Sequence, residues 1–317
     1  MVVKSKSLGG RSPKPRWNIR DIQLACMAGL GVAFLAVFAY LPMSGILLAF
    51  KNGDKQLDLL YATFYGEWTL KNFEALFGNE VFWQVFWNTV KINIWMLLIN
   101  FPTPIIFALL LNEVRSLRLK KGIQTVCNFP QFISWVIYGG IVLALTEANT
   151  GVVNPVLELL GLSSPENPVD LNLAQYFYPK IIIASMLKGV GWGSIIYTAA
   201  IAGIDPSLYE AAMIDGANRW QRVKSITYPM IKPTIMIFLL LNVSGLLSNS
   251  FEQFYVFERS YNRETTRVLA TYIYTEGMAF RNYSYATALS LFEGLISVGL
   301  LLGSNYLSKK VTGEGIF

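Results

Sequence analysis

The chain contains no histidine. That removes the commonest general base, the usual metal ligand and an obligatory member of a serine-type triad. Its two cysteines, Cys26 and Cys127, lie in or beside apolar runs, so no disulfide framework is expected and each reads as a small core hydrophobe. Charge is scarce: 15% of the 317 residues are Asp, Glu, Lys or Arg, against about 25% in an average soluble domain. No Gly-x4-Gly-Lys-Ser/Thr phosphate loop occurs, so any nucleotide chemistry has to come from another protein. Only carboxylate chemistry survives these absences, and a membrane-embedded enzyme is disfavoured. What is abundant is apolar surface, at 53% of residues, which points to an integral membrane protein. The net charge of +6 does not indicate a nucleic-acid partner, because most of the basic residues sit between the apolar runs, where they orient a membrane protein.

A membrane-spanning helix needs about 20 mainly apolar residues. Six segments qualify: Ile22–Phe50, with Pro42 and Gly45 as a kink, Val85–Leu111, Ile123–Leu145, Pro179–Ile204, Pro233–Phe257 and Tyr285–Leu307. The expected class is therefore an all-α integral membrane protein with six transmembrane helices. The polar, basic residues 1–21 read as a cytoplasmic tail before a retained first helix, 22–309 as the membrane domain and 310–317 as a C-terminal tail. Outside the spans, sixteen Lys and Arg residues fall on the side of the two termini and seven on the other. This bias places both termini in the cytoplasm. On the opposite side, EWTLKNFEALF in the first loop reads as a short amphipathic helix at the membrane surface.

Between the fourth and fifth spans, residues 205–232 form a charged block. Asp205 is a good N-cap and Pro206 suits the first helical turn. Gly216 supplies a stop that favours a left-handed residue, and Asn218 caps a second short helix. Pro229 and Pro233 are expected to restrict that helix before the fifth span. The result is a helix, a glycine turn and a helix at the cytoplasmic face. Ala211 and Ala212 keep one surface thin. Tyr209, Met213, Ile214 and Trp220 supply apolar material, and Glu210, Asp215 and Arg219 supply polar contacts. Physically, such a hairpin could rest on lipid headgroups or be gripped as a lever by a soluble partner.

Glu210-Ala211-Ala212, three residues, Gly216, nine residues, Ile226, one residue, Tyr228 and Pro229 resemble the cytoplasmic motif of binding-protein-dependent ABC importer permeases. The one departure is Tyr228, where Leu is usual. NFEALFGNEVFWQVFWNTV, ALLLNEVRSLRLKKGIQTV, FPQFISWVIYGG, the stretch GWGSIIYTAAIAGIDPSLYEAAMIDGANRWQRVKSITYPMIKP and the terminal GEGIF extend the resemblance along nearly the whole chain. They are similar to sugar-importer permeases, more narrowly to the polysaccharide and complex-oligosaccharide, lipoprotein-associated branch. The resemblance implies a type I importer permease fold and a heterodimer with a second, similar permease. It also implies two cytoplasmic ATPases that carry ATP and Mg, and an extracellular solute-binding protein that delivers an oligosaccharide. This chain itself would bind no cofactor and no metal. The hairpin becomes the coupling element, with Tyr209, Glu210, Ala211, Ala212, Asp215, Gly216, Ile226 and Pro229 as its contact or framework residues.

Polar residues in a span are costly against lipid and tend to face the bundle interior or a water-filled cavity. The fifth span carries Asn242, Ser244, Ser248, Asn249, Ser250, Glu252 and Gln253. Asn249, Glu252 and Gln253 are expected to line the pathway, although helix–helix hydrogen bonds use the same residue types. Resemblance to maltose-type permeases adds Gly191, Trp192 and Ser250. The glycines of KGVGWGS permit close approach or local unwinding. Lys188 either snorkels or lines the outer cavity, and Asn93 and Tyr138 read as packing residues. The alternatives are a permease for another small solute and an ion-coupled secondary transporter, for which Glu252 would be the coupling carboxylate.

Overall fold

A computed structural model describes residues 18–51 and 63–312. The expectations for the extreme N-terminal tail, the middle of the first loop and the GEGIF end fall outside the described residues. The described residues fall into two compact units, one up to Leu47 and one from Leu48 onward. In the first, α1 (Ile19–Leu35) is followed by a π turn at Ala36–Tyr40 and a short helical turn at Leu41–Met43. A 3-10 turn runs from Ser44 to Phe50. The kink expected at Pro42 and Gly45 is thus a change of winding. Pro42 lacks the N–H that an α-turn would use, and the chain rewinds on either side of it.

The second unit holds the other spans, and among the described residues it contains no named strand, only two isolated bridges. A surface helix α2 (Lys71–Phe77) precedes α3 (Glu80–Asn100), which Asn79 caps by accepting from the Val81 N–H at 2.9 Å. After Phe101 the axis continues as α4 (Pro102–Asn112), with Pro102 and Pro104 in its first turn, where no helical donor is lost.

The third span departs from expectation. It is α5 (Leu117–Asn128), a 3-10 turn at Phe129–Phe132, and α6 (Trp135–Leu145), with a bend of 103°. Pro130 removes a donor and Ser134 caps α6 from an extended conformation, so one continuous helix cannot form. At 11 residues, α6 is about 17 Å long, too short to cross a bilayer alone.

Beyond α7 (Val153–Leu159), the fourth span is α8 (Phe177–Ala202) and matches its expected position. The fifth does not. It starts at Arg219 as α10 (Arg219–Arg222), passes a π turn at Val223–Thr227 and continues as α11 (Tyr228–Ser244). The prolines do not stop it: the π turn absorbs the missing donor of Pro229, and the helix carries Pro233 in its interior. It ends at Ser244, not Phe257. A non-helical break leads to α12 (Phe251–Tyr255). The short helices α13 (Arg263–Thr266) and α14 (Leu269–Tyr274) then lead to the last span, α15 (Tyr283–Thr312). Among the described residues, five helices are long and apolar enough to cross a membrane, and the bent pair makes a sixth if it counts as one span.

Three buried clusters hold this unit. Phe82, Val85, Leu269, Tyr285 and Leu289 join α3, α14 and α15. Ile92, Phe177, Ile181 and Phe254 join α3, α8 and α12. Ala108, Tyr197, Ile201, Ile231 and Ile235 join α4, α8 and α11. Trp95, Ile183, Leu187, Leu295 and Leu302 point outward, as residues facing lipid tails do. Lipid tails supply no hydrophobic drive between helices, so these clusters hold by shape-matched van der Waals packing.

Candidate functional site

The block at 205–232 is built by local rules. The helix α9 (Pro206–Ile214) starts at Asp205, whose Oδ1 accepts from the Ser207 N–H at 2.9 Å. The backbone N–H of Ser207, and next its hydroxyl, hold the Asp205 carboxyl below its ordinary value. A lowered value means the ionised cap contributes stability above the unfolded carboxyl's range and loses it as pH falls through the lowered one. At the other end, Gly216 has φ +77°. The Gly216 N–H donates to Met213 O at 3.1 Å and the Ala217 N–H to Ala212 O at 2.9 Å. This pair of bonds is a Schellman motif, which needs a residue with positive φ where Gly216 stands. Two residues on, the Asn218 side chain accepts from the Gln221 N–H at 2.9 Å, and the Asn218 N–H donates to the Gln221 side chain at 2.7 Å. A C-terminal stop and an N-terminal capping box therefore follow each other almost directly, and the hairpin is stiff.

Glu210, Ala211, Asp215, Gly216 and Pro229 are exposed, and Ala212 is half-buried. Ile214 and Trp220 are 87% and 78% exposed, so the apolar material of the hairpin faces outward. Tyr209 and Ile226 face the other way. They pack on the cluster shared by α4, α8 and α11, and the Tyr209 hydroxyl lies 2.9 Å from that of Thr227, which is buried. These two side chains tie the hairpin to the spans.

A cavity of about 460 Å³ lies among α3, α4, α8, α11 and the break after Ser244. It brings together Asn242, Ser248, Asn249, Ser250 and Gln253 from the fifth-span region with Asn93, Asn100 and Ser185 from distant parts of the chain. Phe101, Tyr197 and Phe238 add aromatic surface, and among the described residues none that lines the cavity is charged. Asn93 and Asn249 exchange two hydrogen bonds, at 3.0 and 2.8 Å. Gln253 donates to the Ser185 hydroxyl at 2.6 Å. The break makes the cavity possible. Its unwound backbone is tolerated at membrane depth only where it lines a cavity or is buried in protein.

Other expected pathway residues sit elsewhere. Glu252 is exposed on α12, pointing away from the lining. Gly191 is packed against the backbone of Cys127 on α5, and the partly exposed Trp192 ring meets Phe132 edge-on at 6.2 Å. The physical reason is the helical period: Ser185, Gly193, Ile196 and Tyr197 form the cavity face of α8, and Gly191 lies on a different stripe. Asn93, read as packing, is both buried and on the lining. Its spacing with Asn100, seven residues along one helix face, was the available signal. Glu293 was also missed. This half-buried carboxyl in the sixth span lies close to the lining residue Ser248.

The amide pair makes a stability prediction. Asn93→Ala or Asn249→Ala alone strands the opposite amide and is expected to cost about 1–3 kcal/mol. Replacing both by Leu should recover most of that loss, read as the thermal unfolding midpoint in detergent. A double variant that melts below either single one contradicts the pairing.

Comparison with known proteins agrees with this architecture. The chain is 38% identical to the protein LplB of Bacillus subtilis (strain 168) over 94% of this chain and 92% of that one. It is 37% identical to the polygalacturonan/rhamnogalacturonan transport system permease protein YteP of the same organism, over 90% and 88%. Among solved structures, a bacterial ABC transporter involved in the import of the acidic polysaccharide alginate matches with a TM-score of 0.82. The identity there is 35%, covering 92% of this chain and 97% of that one. A second crystal structure, of an alginate transporter in complex with an alginate pentasaccharide-bound periplasmic protein, matches equally well. The profile of one family, described as "binding-protein-dependent transport system inner membrane component", matches residues 83–313. That match covers most of the chain, and with the identity to LplB it shows that the chain belongs to that family, as a transport component rather than an enzyme.

Proposed function

We propose that this chain is one of two similar membrane subunits of an ATP-driven importer for oligosaccharides or polysaccharide fragments. The observation that carries the reading is the cavity: amides and hydroxyls interspersed with aromatic faces, beside a break in a span. Sugars offer hydroxyls to the first and C–H faces to the second. The names of the relatives, which concern pectic polysaccharides and alginate, support the same substrate class. A solute-binding protein outside the cell would deliver the sugar, and two copies of an ABC ATPase inside would bind ATP and Mg. The basic residues favour a bacterial cytoplasmic membrane with both chain ends inside.

In this reading the hairpin is the handle by which the ATPase moves the spans. It can serve because it is stiff and continuous with its neighbours. Through the π turn α10 runs straight into α11, and only Gly203, Ile204 and Asp205 separate α8 from α9. A displacement of α9 is therefore passed to the cavity walls rather than lost in a loop. Closure of the ATPase dimer would favour one tilt of the spans and hydrolysis the other, which is alternating access by differential contacts in two states.

The test is sugar-stimulated ATP hydrolysis by the chain purified with its companion permease, an ATPase and a binding protein, using pectic and alginate oligosaccharides as probes. Ala212→Asp places an unpaired carboxylate at the docking face, which costs several kcal/mol. It should lower ATPase retention by about a hundredfold. Uptake that follows an ion gradient and needs no ATPase would replace this reading with a secondary transporter.

A further inference from the structure

The fourth span carries a cation that neither the cavity nor the hairpin uses. Lys188 is 4% exposed, in the middle of α8. Its ammonium donates to the backbone oxygens of Pro130 at 2.8 Å, Gln131 at 3.4 Å and Ile133. These carbonyls lie where the third span bends by 103°, and that of Pro130 also accepts from the Ile133 N–H at 3.3 Å. The same ammonium lies 5.3 Å from the ring centres of Trp135 and Tyr138, in the first turn of α6. An ammonium has three N–H donors, and the bend supplies three carbonyls. Lys188 therefore neither snorkels nor has a donor left for a sugar carboxylate.

The contacts on either side of Lys188 fall on one stripe of α8. One turn before it, Ala184 O accepts from the Tyr138 hydroxyl at 2.9 Å. Three residues after it, Gly191 packs directly on the Cys127 backbone. Over about two turns, α8 is held to α6, to the bend and to α5 in succession. A lone lysine side chain at membrane depth is costly, and such residues usually pair with one another or with backbone carbonyls. Here the cation gives the Gln131 and Ile133 carbonyls a donor and the Pro130 carbonyl a second one, and the three oxygens in turn compensate its charge.

We infer that Lys188 is a positioning residue that pins the bend of the third span to the fourth, so that both arms of the bend move with α8 as one body when the hairpin is displaced. The inference rests on the proposed import function for the source of that displacement. Without the pin, the unsatisfied bend relaxes separately from α8, and hairpin motion no longer moves the whole wall.

Two measurements on the complete transporter in liposomes test this. The first uses spin labels at Leu187 on α8 and at Val136 or Val126 on the two arms, all exposed positions, with Cys26 and Cys127 replaced. Both label distances should be unchanged between the nucleotide-free and vanadate-trapped states. In Lys188→Met their distributions should broaden. The second is the ratio of sugar imported to ATP hydrolysed. It should fall at least tenfold in Lys188→Met and stay within about twofold in Lys188→Arg, which keeps a donor-rich cation. If Lys188→Met does not assemble, the wild-type distances decide alone. Distances that change between the two states in a working wild-type transporter overturn the pin, as does a Lys188→Met variant with an unaltered ratio. A chain that forms no complex with an ATPase overturns the import reading, and the pin's role in it falls too.

Discussion

Gly191→Ala is expected to lower the thermal unfolding midpoint of the purified chain by roughly 6–12 °C, a loss of about 3 kcal/mol. A β-carbon at Gly191 would lie 2.3 Å from the carbonyl oxygen of Cys127 and 2.4 Å from its carbonyl carbon. Both are backbone atoms of α5, so no side chain can swing aside. The helices must separate, and the separation breaks the contacts of the two stripes around it. Gly189, two residues earlier, is the control. Nothing lies within 4 Å of a β-carbon built there. Gly189→Ala should be neutral or stabilise the helix by about 0.5–1 kcal/mol, because Gly is the poorer helix former. A Gly191→Ala protein that melts with the wild type would sink the close approach of α5 and α8.

Gly216→Pro should leave the chain folded and cut sugar-stimulated ATP hydrolysis by about a hundredfold. Proline cannot adopt φ +77°, and it removes the Gly216 N–H that donates to Met213 O. The penalty of about 3 kcal/mol or more falls on a surface hairpin, not on the packed spans. Gly216→Val separates conformation from hydrogen bonding. It keeps the donor but pays about 1–2 kcal/mol for a left-handed L-residue, so an intermediate loss is expected. Space does not limit a substitution at its first atom, since a β-carbon at Gly216 meets nothing within 4 Å. Gly216→Asn should therefore retain at least half of wild-type activity, because Asn tolerates the left-handed region. Equal activity in the Pro and Asn variants would show that the turn's conformation does not matter to coupling.

Features that depend on neighbouring residues were legible in the amino-acid sequence. Four of the six spans lie close to their expected positions, because length and apolar content suffice to mark a membrane helix. The ends of the hairpin were legible for a similar reason: Asp205, Gly216 and Asn218 act on backbone groups within a few residues of themselves. The start of the fifth span was misjudged because Pro229 and Pro233 are usually helix breakers. A π turn at Val223–Thr227 accommodates the first, and the helix tolerates the second.

The sequence alone determined an all-α membrane chain with a capped hairpin between its fourth and fifth spans, since composition and local capping decide both. The tertiary structure alone decided which polar groups face one another. Asn93 meets Asn249 across 156 positions, Lys188 meets the carbonyls of the third-span bend, and Gly191 meets Cys127. Gln253 and Asn249 reach the cavity while Glu252, beside them, does not. The physical reason is that each partner lies on a different helix. Which faces meet depends on how helices rotate and bend as they pack, and the carbonyls at the bend in the third span meet their cation more than fifty positions away.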